Sequence, residues 1–493
     1  MIIGINAPDA CRPGIEDIIR VFYRGFEIKP AAPGAGHDIE ITLSLEQSDG
    51  YLLAAAGIQS ANLERTHMEK EPVIPGSDLE NESKRLARLA VYRLLEGVKA
   101  GCPTPWGIMT GIRPTKVVHR IMDGGLAPEG VIKALTEKFA VTPEKAALIT
   151  EIALHQRPFL PAHPGTSREI GVYAGIPFCP SRCLYCSFPA YPREKYRHWV
   201  APYVNALLQE IKAVGEAVKA ASLNVRCIYL GGGTPTCLEP AQLAAVLEAL
   251  NQNLPVTADR ELTVEGGRPE TLSAEVIDII RAAGATRLSI NPQTMQERTL
   301  RVIGRHHTVR DVMDAMERAR SAGLETINMD IIAGLPGETA GDMRDTLGRI
   351  AALRPENLSV HTLAVKRAAR LSREIDQYPL PSPGSTGAML EEARRRAGLM
   401  GMVPYYMYRQ KNMLGNLENI GYALPGRECL YNIMIMEERH SIIGLGAGAG
   451  SKYVMPGGML YNRYNPKDPR LYVERLEEII QKKKRGIAAL NRA

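Results

Sequence analysis

The sequence has few aromatic residues and no long hydrophobic run. Phe, Trp and Tyr make up 5% of its 493 residues, which argues against the extended base-stacking surfaces of proteins that bind single-stranded nucleic acid. No run of about 18 apolar residues occurs, so we expect no membrane span. The first residues, MIIGINAPDACRPGIED, lack the basic segment followed by a long apolar one that defines a signal peptide. We therefore expect a cytoplasmic protein.

The sequence also lacks a strong excess of either charge. Lys and Arg number 60 against 54 Asp and Glu, a net charge of +6, which suits an acidic small molecule better than a nucleic acid. Neither standard nucleotide-binding fingerprint is present, because no G-x-G-x-x-G follows a predicted strand and no G-x-x-x-x-G-K-[ST] occurs. An apolar content of 45% and a charged content of 23% are typical of a globular chain with several domains.

The hydrophobic patterns predict three regions. Residues 1–165 are predicted to form an α+β domain of unknown role, with short strands at 37–46 and 51–59, a long helix and then two further helices. The proline-rich segment 157–165 is the best candidate linker. Residues 166–378 are predicted to form the central domain. Residues 379–493 form a short C-terminal extension that we expect to complete the substrate pocket.

The central domain alternates between predicted strands and helices. The strands are predicted at 171–177, 227–233, 262–267, 287–293, 326–334 and 357–364. Strands rich in Ile, Val and Leu, separated by helices, indicate a parallel sheet covered by helices. Six units favour an α/β fold of the incomplete (βα)6 TIM type, with an open Rossmann-like sheet as the alternative. In the extension, a helix near 387–401 and a strand at 405–411 are predicted, and the glycine-rich segment 441–454 is expected to bring backbone close to another group.

Three of the eight cysteines are clustered, as C-x-x-x-C-x-x-C at Cys179, Cys183 and Cys186. Tetrahedral zinc would need a fourth ligand, and no nearby Cys supplies it. The bacterial ferredoxin motif needs four cysteines. A [4Fe–4S] cluster with three protein ligands and one open iron fits the pattern. The plain alternative is three unrelated buried cysteines, which the tight spacing argues against.

Polar residues stand at or near the ends of successive predicted strands. Glu265 ends one strand, Gln293 the next, and Asp330 lies within the third. GGGTPT (231–236) follows the second strand of the domain, where consecutive glycines allow backbone to approach a ligand. Each feature alone would more often be structural. Active sites of barrel folds form at the carboxyl ends of the strands, so together they predict a pocket.

These motifs resemble those of the radical S-adenosylmethionine (radical SAM) superfamily, through C-x-x-x-C-x-x-C after the first barrel strand and G-G-G-T-P after the second. The segments YAGIPFCPSRCLYCSF, TVEGGRPET, RLSINPQT and NMDIIAGLPGET resemble the oxygen-independent coproporphyrinogen III oxidase family. PWGIMTGIRPTK and GYALPGRECLYNIMIMEERHSIIGLGAGAGSKY resemble its HemZ-like branch, the coproporphyrinogen dehydrogenases. The resemblance covers roughly residues 100–455.

The resemblance implies a role for each matching residue. Cys179, Cys183 and Cys186 would bind the cluster, and the methionyl group of SAM would chelate its fourth iron. Tyr173 would lie near the cofactor as a catalytic residue, and Tyr185 would lie near the adenine. The remaining implied SAM contacts are Gly232, Gly233, Thr234, Glu265, Gln293, Arg305 and Asp330. Ala364 matches a contact to a second SAM, so one or two SAM molecules are implied.

The implied reaction is the oxidative decarboxylation of coproporphyrinogen III to protoporphyrinogen IX in haem biosynthesis. A 5′-deoxyadenosyl radical would abstract hydrogen from a propionate side chain, and the loss of CO₂ and one electron would leave a vinyl group. The implied partners are a tetrapyrrole substrate and an electron donor such as flavodoxin or ferredoxin. The candidates for binding the substrate carboxylates are Arg113, Lys366, Arg367, Arg409 and Lys411.

The sequence departs from the oxidases at two positions near the cysteines. Gly175 stands where they carry a histidine, and Ser187 stands where they carry a further cysteine directly after Cys186. Related members without the oxidase features act as haem chaperones or use haem. A haem-binding or haem-delivery protein without decarboxylase turnover is therefore the alternative. A radical SAM enzyme acting on tRNA is a third possibility, which the weak net charge argues against.

Overall fold

The computed structural model of the protein describes residues 1–23, 25–30, 37–76, 78–99, 105–411 and 413–491. Its internal contacts divide the chain into two compact units, Met1–Glu151 and Ile152–Ala493. The linker predicted at 157–165 lies just inside the second unit. Within the described ranges, no helix combines the length and the apolar character that crossing a bilayer requires.

The first unit is a mixed sheet covered by helices. Its elements are β1 (Ile2–Asn6), α1 (Arg12–Phe22), β2 (Glu27–Pro30), β3 (Ile39–Ser48), β4 (Tyr51–Ser60), β5 (Leu63–Pro72), α2 (Leu79–Val98), α3 (Thr115–Asp123), α4 (Pro128–Phe139) and α5 (Pro143–Gln156), the last of which extends past the unit boundary. The strand order is β2-β1-β3-β4-β5, in which β1 runs parallel to β2 and β3 and the remaining pairs are antiparallel.

The long helix α2 provides most of the apolar face that covers this sheet. Leu86, Leu89 and Leu95 of α2 are buried with Ile15 of α1 and Ile41 of β3 in one cluster. Leu86 and Leu89 are three residues apart and share one face of the helix, whereas Leu95 lies on another side that is also buried. The carboxylate of Asp78 caps the helix by accepting a hydrogen bond from the Asn81 N–H at 3.1 Å. The predicted long helix and the hairpin β3–β4 are confirmed.

The second unit alternates strands and helices and then adds an irregular C-terminal part. Its elements are β6 (Glu169–Ile176), β7 (Phe178–Cys179), β8 (Tyr191–Pro192), α6 (Arg197–Ala220), β9 (Asn224–Gly232), α7 (Pro240–Asn253), β10 (Val256–Gly266), α8 (Ala274–Ala282), β11 (Arg287–Ile290), α9 (Glu297–Val302), α10 (Val309–Ser321), β12 (Ile327–Ala333), α11 (Ala340–Leu353), β13 (Asn357–Thr362), α12 (Pro383–Leu399), β14 (Val403–Tyr408), β15 (Asn419–Ala423), α13 (Leu430–Glu437), β16 (Ile442–Leu445), β17 (Gly450–Val454), β18 (Leu460–Tyr464), α14 (Pro469–Glu474) and α15 (Leu476–Leu490).

The six predicted barrel strands are β6 and β9–β13, and they lie side by side in chain order. The described residues form an 11-stranded sheet in the order β14-β15-β13-β12-β11-β10-β9-β6-β16-β17-β18. Consecutive parallel strands with a helix between each pair are the arrangement of a TIM-type barrel. A doubly wound sheet would reverse the strand order at a switch point. The incomplete (βα)6 barrel is therefore correct, and the Rossmann-like alternative is wrong.

The C-terminal residues extend the sheet at both edges. β16 pairs in parallel with β6, from Ile442 opposite Gly171 to Leu445 opposite Ala174, and β15 pairs antiparallel with β13. The glycine-rich segment 441–454 thus forms β16 and β17. A Cβ atom at Gly444 would lie 2.7 Å from the backbone carbon of Gly450. The close approach of backbone expected for this segment is confirmed.

Candidate active site

The carboxyl ends of the parallel strands surround a cavity of about 430 Å³. Barrel enzymes bind their substrates at this end of the sheet. All thirteen residues that the resemblance assigns to the cluster or to SAM line this cavity. They are Tyr173, Cys179, Cys183, Tyr185, Cys186, Gly232, Gly233, Thr234, Glu265, Gln293, Arg305, Asp330 and Ala364.

The three clustered cysteines lie in the loop that follows β6. Cys179 ends the short strand β7 and is buried, whereas the other two are half-buried. The Leu184 N–H donates to the Ile303 carbonyl at 3.0 Å, and the Leu184 carbonyl accepts from the Leu371 N–H at 3.0 Å. These bonds tie the loop to the segments that follow β11 and β13. The sulfur positions therefore depend on the barrel as well as on the loop itself.

Two polar side chains point at the cysteine sulfurs. The Thr234 hydroxyl donates to Cys179 Sγ at 3.4 Å, and Arg268 Nη2 donates to Cys183 Sγ at 3.2 Å and to the Ser181 carbonyl at 2.8 Å. Burial raises the pKa of the Cys179 thiol to about 12, and Thr234 and Arg268 oppose that rise. The buried guanidinium thus places a positive charge where thiolate ligands would need one. The sequence analysis missed Arg268, although it directly follows the glycine pair at the end of β10.

The cysteines do not converge on a single point. Among the described residues, no three His, Cys, Asp or Glu side chains are grouped closely enough to hold one metal ion. A structural zinc site needs four ligands around one atom. In a [4Fe–4S] cluster, each cysteine binds a different iron, so the three sulfurs do not need to converge on one point.

The glycines at the end of β9 pack their backbone closely against β6 and the cysteine loop. Gly232 has a φ of +113°, and a Cβ atom there would lie 2.8 Å from the Ile176 carbonyl oxygen. A Cβ atom at Gly233 would lie 2.9 Å from Cys179 Sγ. Any side chain at either position would therefore collide with the strand or with the sulfur. Only glycine fits at these two positions, which line the cavity beside the cysteine loop, and we name this turn the glycine cradle.

Glu265, at the end of β10, carries a buried carboxyl group whose ionised form is disfavoured. Its Oε2 accepts from the Gly232 N–H at 3.2 Å, and its Oε1 accepts from Asn291 Nδ2 at 3.4 Å. Burial, together with the negative charge of Asp330, raises the pKa of Glu265 to about 8. At neutral pH the carboxyl is therefore largely protonated, and a bound cation would favour its ionised form.

Asp330, on β12, has a lowered pKa, in contrast to Glu265. Burial disfavours its charge, but the nearby His361 and a hydrogen bond from Asn328 outweigh burial and lower its pKa. Asn328 Nδ2 donates to Asp330 Oδ1 at 2.7 Å, and His361 Nε2 lies 3.6 Å from Oδ2. The Tyr408 hydroxyl lies 3.2 Å from His361 Nδ1. At neutral pH the cavity thus holds one ionised and one protonated carboxyl group.

Several buried polar atoms of the cavity lining have no hydrogen-bond partner among the described residues, and Gln293 and Arg305 each carry one. Gln293 has a φ of +68°, unusual for a residue other than glycine, and its Oε1 forms no hydrogen bond. Arg305 donates from Nη1 to the Asn291 carbonyl at 2.6 Å and from Nη2 to the Gly267 carbonyl, whereas its Nε has no partner. Such atoms are costly to bury. A polar ligand in the cavity would satisfy them.

The remaining predicted residues occupy separate parts of the wall. Tyr185 is half-buried between two of the cysteines, and burial first, then the nearby Cys183, raises its pKa well above the usual value, against the effect of Arg305. Ala364 follows β13 and forms an isolated bridge with Met413.

Comparison with known proteins agrees with the motifs. Residues 173–350 match the radical SAM superfamily. The chain is 37% identical over 485 residues to the oxygen-independent coproporphyrinogen-III oxidase-like protein HemZ of Bacillus subtilis, covering 98% of this chain and 96% of that protein.

This protein belongs to the radical SAM superfamily, in the HemZ-like family. It is also 37% identical over 280 residues to the heme chaperone HemW of Bacillus subtilis, covering 56% of this chain and 69% of that one. The solved structure of coproporphyrinogen III oxidase (HemN) from Escherichia coli matches with a TM-score of 0.51 and 26% identity, over 66% of this chain and 73% of that chain. Membership of the radical SAM superfamily implies a [4Fe–4S] cluster and SAM.

The cavity of this HemZ-like protein fits both groups. Three cysteines line one side, and a guanidinium lies beside one of their sulfurs. The glycine cradle adjoins them, and the orphaned atoms of Gln293 and Arg305 lie on the wall. The donor set is therefore appropriate for an iron–sulfur centre and a polar cofactor next to it.

A wall of stacked tyrosines, unnoticed in the sequence, forms another part of the cavity. The ring centroids of Tyr229 and Tyr431 are 4.7 Å apart, and those of Tyr173 and Tyr431 are 5.9 Å apart, with nearly parallel planes. Tyr406 and Tyr408 of β14 also line the cavity. Three of these five tyrosines come from the C-terminal extension. Only the antiparallel and parallel pairing at the sheet edges brings them to the site, so no local sequence signal indicated them.

The five basic residues expected to bind substrate carboxylates are not assembled as predicted. Of these five, only Lys366 lines the cavity. Arg409 is 3% exposed, and its guanidinium donates to Asn416 Oδ1 at 2.6 Å and to the Asn416 carbonyl at 2.7 Å. Its assignment to the pocket mouth is wrong, because β14 turns this side chain into the protein. Arg367 and Lys411 are exposed, and Arg113 belongs to the first unit.

Proposed function

We propose that this protein is a radical SAM enzyme that carries out the oxygen-independent oxidative decarboxylation of coproporphyrinogen III to protoporphyrinogen IX. One observation carries the proposal: cysteines, glycine cradle and tyrosine wall share a single cavity at the carboxyl ends of the barrel strands. A cofactor bound beside the cysteines would therefore face a substrate that packs against the tyrosine wall. Similarity along nearly the whole chain to a protein named coproporphyrinogen-III oxidase-like supports the same assignment.

Cys179, Cys183 and Cys186 are the proposed cluster ligands. Three thiolates on a four-iron cluster leave one iron without a protein ligand, and SAM is the proposed occupant of that position. Arg268 would offset part of the negative charge of the thiolates through its bond to Cys183 Sγ. Cysteine ligands must be reduced, which agrees with the cytoplasmic location expected from the sequence. A flavodoxin or a ferredoxin is the proposed electron donor.

The other predicted residues are the proposed SAM contacts. When bound, the reduced cluster and SAM supply a carbon-centred radical that abstracts hydrogen from the substrate. Gly232, Gly233 and Thr234 would hold the methionyl end in the cradle. Glu265 and Asp330 would face the cationic parts of the cofactor, Gln293 and Arg305 would use their unpartnered atoms, and Tyr185 would pack on the adenine. Tyr173 would lie near the cofactor as a catalytic residue, and Ala364 would contact a second SAM, which stays a prediction.

The experiment that tests this function is anaerobic reconstitution with iron and sulfide, followed by reaction with SAM, a reductant and coproporphyrinogen III. We expect mass spectrometry to show products that have lost one and then two carboxyl groups as CO₂, each with two hydrogens. 5′-Deoxyadenosine should accumulate in step with these products. SAM cleavage without any vinyl product would exclude the decarboxylase assignment.

A second function, haem binding or delivery without decarboxylase turnover, is favoured by the charge of the cavity. Four substrate carboxylates call for several available cations. However, Arg268, Arg287 and Arg305 of the lining already bind protein groups. The tyrosine wall suits a planar macrocycle, and His361 and Met436, side chains of types that ligate haem iron, line the same cavity.

Haem titration separates the two functions. If the protein is a haem carrier, we expect stoichiometric haem binding with a shifted absorption band that is weakened in His361→Ala or in Met436→Leu. If it is a decarboxylase, we expect vinyl products and no such stoichiometric complex. Reconstituted wild-type protein serves as the reference in both assays.

A further inference from the structure

Four exposed arginines and two exposed apolar side chains lie on or next to the cysteine loop. Arg182, Arg301, Arg367 and Arg373 are exposed, as are Phe188 and Val302, with 67% and 40% of the residue surface accessible. We name these six residues the cluster-edge surface. Arg301, Arg367 and Arg373 form no ion pair with any described residue.

Hydrogen bonds show that these residues surround the cysteine loop. Arg182 lies within the loop, and its Nη2 donates to the Ala368 carbonyl at 2.9 Å. The bond of Leu184 to Ile303 places Arg301 and Val302 next to the loop, and the bond of Leu371 to Leu184 does the same for Arg367 and Arg373. Phe188 lines the mouth of the cavity. The surface is therefore contiguous with the half-buried cysteines.

The charge of this surface has one sign. Residues 366–373, KRAARLSR, contain four basic and no acidic side chains. The next acidic residue, Glu374, is bound to Arg370, with 3.4 Å between its Oε2 and Arg370 Nε. An exposed apolar patch with a charged rim is the composition of transient protein interfaces. Basic charge around it selects an acidic partner and disfavours a second copy of the same surface.

We propose that the cluster-edge surface docks a small acidic carrier of one electron, of the flavodoxin or ferredoxin type. This inference rests on the proposed function, since a cluster at the three cysteines must receive an electron from outside. One electron leaves the carrier and enters the cluster, and no covalent bond forms or breaks. Such encounters bury little area and depend on charge for their association rate. The position beside the half-buried cysteines keeps the transfer distance short.

The test compares Arg367→Glu/Arg373→Glu with Lys219→Glu/Arg485→Glu in the full-length reconstituted protein. Lys219 and Arg485 are exposed cations near the amino ends of the strands, where Arg168, just before β6, donates to Asn491 Oδ1 at 3.1 Å. Both variants change the net charge equally. Calorimetric binding of purified flavodoxin at low ionic strength should weaken roughly tenfold or more in the first variant. It should change less than about twofold in the second.

Stopped-flow bleaching of the cluster supplies a second readout that needs no tetrapyrrole turnover. Reduction by flavodoxin hydroquinone should slow in Arg367→Glu/Arg373→Glu, while reduction by dithionite should be unchanged. Arg367→Lys/Arg373→Lys should behave as wild type, because the charge is kept. Arg301→Glu should slow the reaction as well.

Several outcomes would overturn the docking proposal. They are unchanged flavodoxin binding in both double variants, equal binding of an equally acidic protein without a redox centre, or tighter binding of tRNA or of phosphatidylserine vesicles through the same arginines. An equal loss of dithionite-driven reduction would assign the arginines to the cluster site itself. Absence of decarboxylation alone would leave the docking result intact.

Discussion

The ionisation of Glu265 depends on what fills the cavity. Its pKa of about 8 lies well above the ordinary value of 4.5, so the folded protein binds a proton there that the unfolded chain has lost. Stability contributed by this site therefore falls as pH rises from about 4.5 through about 8. A cationic ligand in the cavity would lower the pKa of Glu265, because it stabilises the ionised carboxylate.

Glu265→Gln should raise stability and lower SAM affinity. We expect wild-type affinity for SAM to rise between about pH 7 and about pH 9, on either side of the pKa of about 8. In the variant that rise should vanish, and affinity at the higher pH should drop roughly tenfold, the value of a hydrogen bond to a charged group. Calorimetric SAM titration measures the affinity of both proteins.

Without SAM, the same substitution should increase the thermal stability of the protein, whereas it decreases the affinity for SAM. The unfolding midpoint of Glu265→Gln relative to wild type should increase from about pH 5 to about pH 9, since the variant avoids ionising a buried carboxyl. Equal midpoints across this range, or SAM affinity that is independent of pH in wild type, would contradict the electrostatic assignment of Glu265.

Cys183→Ala should remove the visible absorption of the cluster and all SAM cleavage. Cys183 is half-buried and bonded to Arg268, so its loss leaves the cluster with two protein ligands. The matched control is Cys237→Ser, since Cys237 is a buried free cysteine in the turn after the glycine cradle but does not line the cavity. Iron and sulfide analysis should show about full loading in the control. Full SAM cleavage by Cys183→Ala would show that the ligand assignment is wrong.

At the scale of elements, burial explains which strands could be predicted. β9, β10 and β12 place Ile, Val or Leu at buried positions between helices, and all three were located from that pattern, although β10 begins at Val256, six residues before its predicted start. β16 is only four residues long and contains Gly444, and β17 begins at Gly450. β16 pairs with β6, and β17 pairs with β16, so both positions follow from long-range contacts. Gly450 and Gly444 have no side chain to signal a strand. They permit the close backbone approach that the sheet edge requires.

A buried ion pair fixes these late elements to the barrel. Glu210 of α6 and Lys483 of α15 are almost fully buried, with 3.3 Å between Oε1 and Nζ. Glu210 Oε2 also accepts from the Tyr472 hydroxyl and the Gly446 N–H, each at 2.7 Å. One carboxylate therefore joins α6, α14, α15 and the loop after β16, and no signal within a single element indicates this pairing.

Lys483→Ala should cost about 3–5 kcal/mol of unfolding free energy, because it leaves a buried carboxylate without its cation. Lys482→Ala is the matched control, since the neighbouring Lys482 is exposed and pairs with Glu478 on the surface. The control should change stability by less than about 1 kcal/mol. Urea unfolding followed by circular dichroism measures both. Equal effects of the two substitutions would show that the Glu210 pair is not what holds these elements.

At the scale of the whole molecule, local motifs located half of the site, and the fold supplied the rest. The cysteines and the glycine cradle lie within short segments whose spacing carries the chemistry, so they were predictable. Tyr431 and Tyr406 reach the cavity only because the C-terminal strands join both edges of the sheet. The same long-range pairing turns Arg409 inward. Substrate recognition is thus the part of the site that required the structure.

The two compact units should respond differently to ligand and to mutation. Each has its own buried core, and every described residue of the cavity lining lies in 152–493. SAM added to the reconstituted protein should therefore raise the unfolding temperature of that unit, since it binds only the folded form.

Leu86→Ala removes a fully buried side chain from the core of the first unit and should cost that unit about 2–5 kcal/mol. Pulse proteolysis with fragment masses reports each unit separately. The SAM effect should persist in Leu86→Ala and disappear in Cys183→Ala. A SAM effect of the same size in Cys183→Ala would place the cofactor outside the cavity.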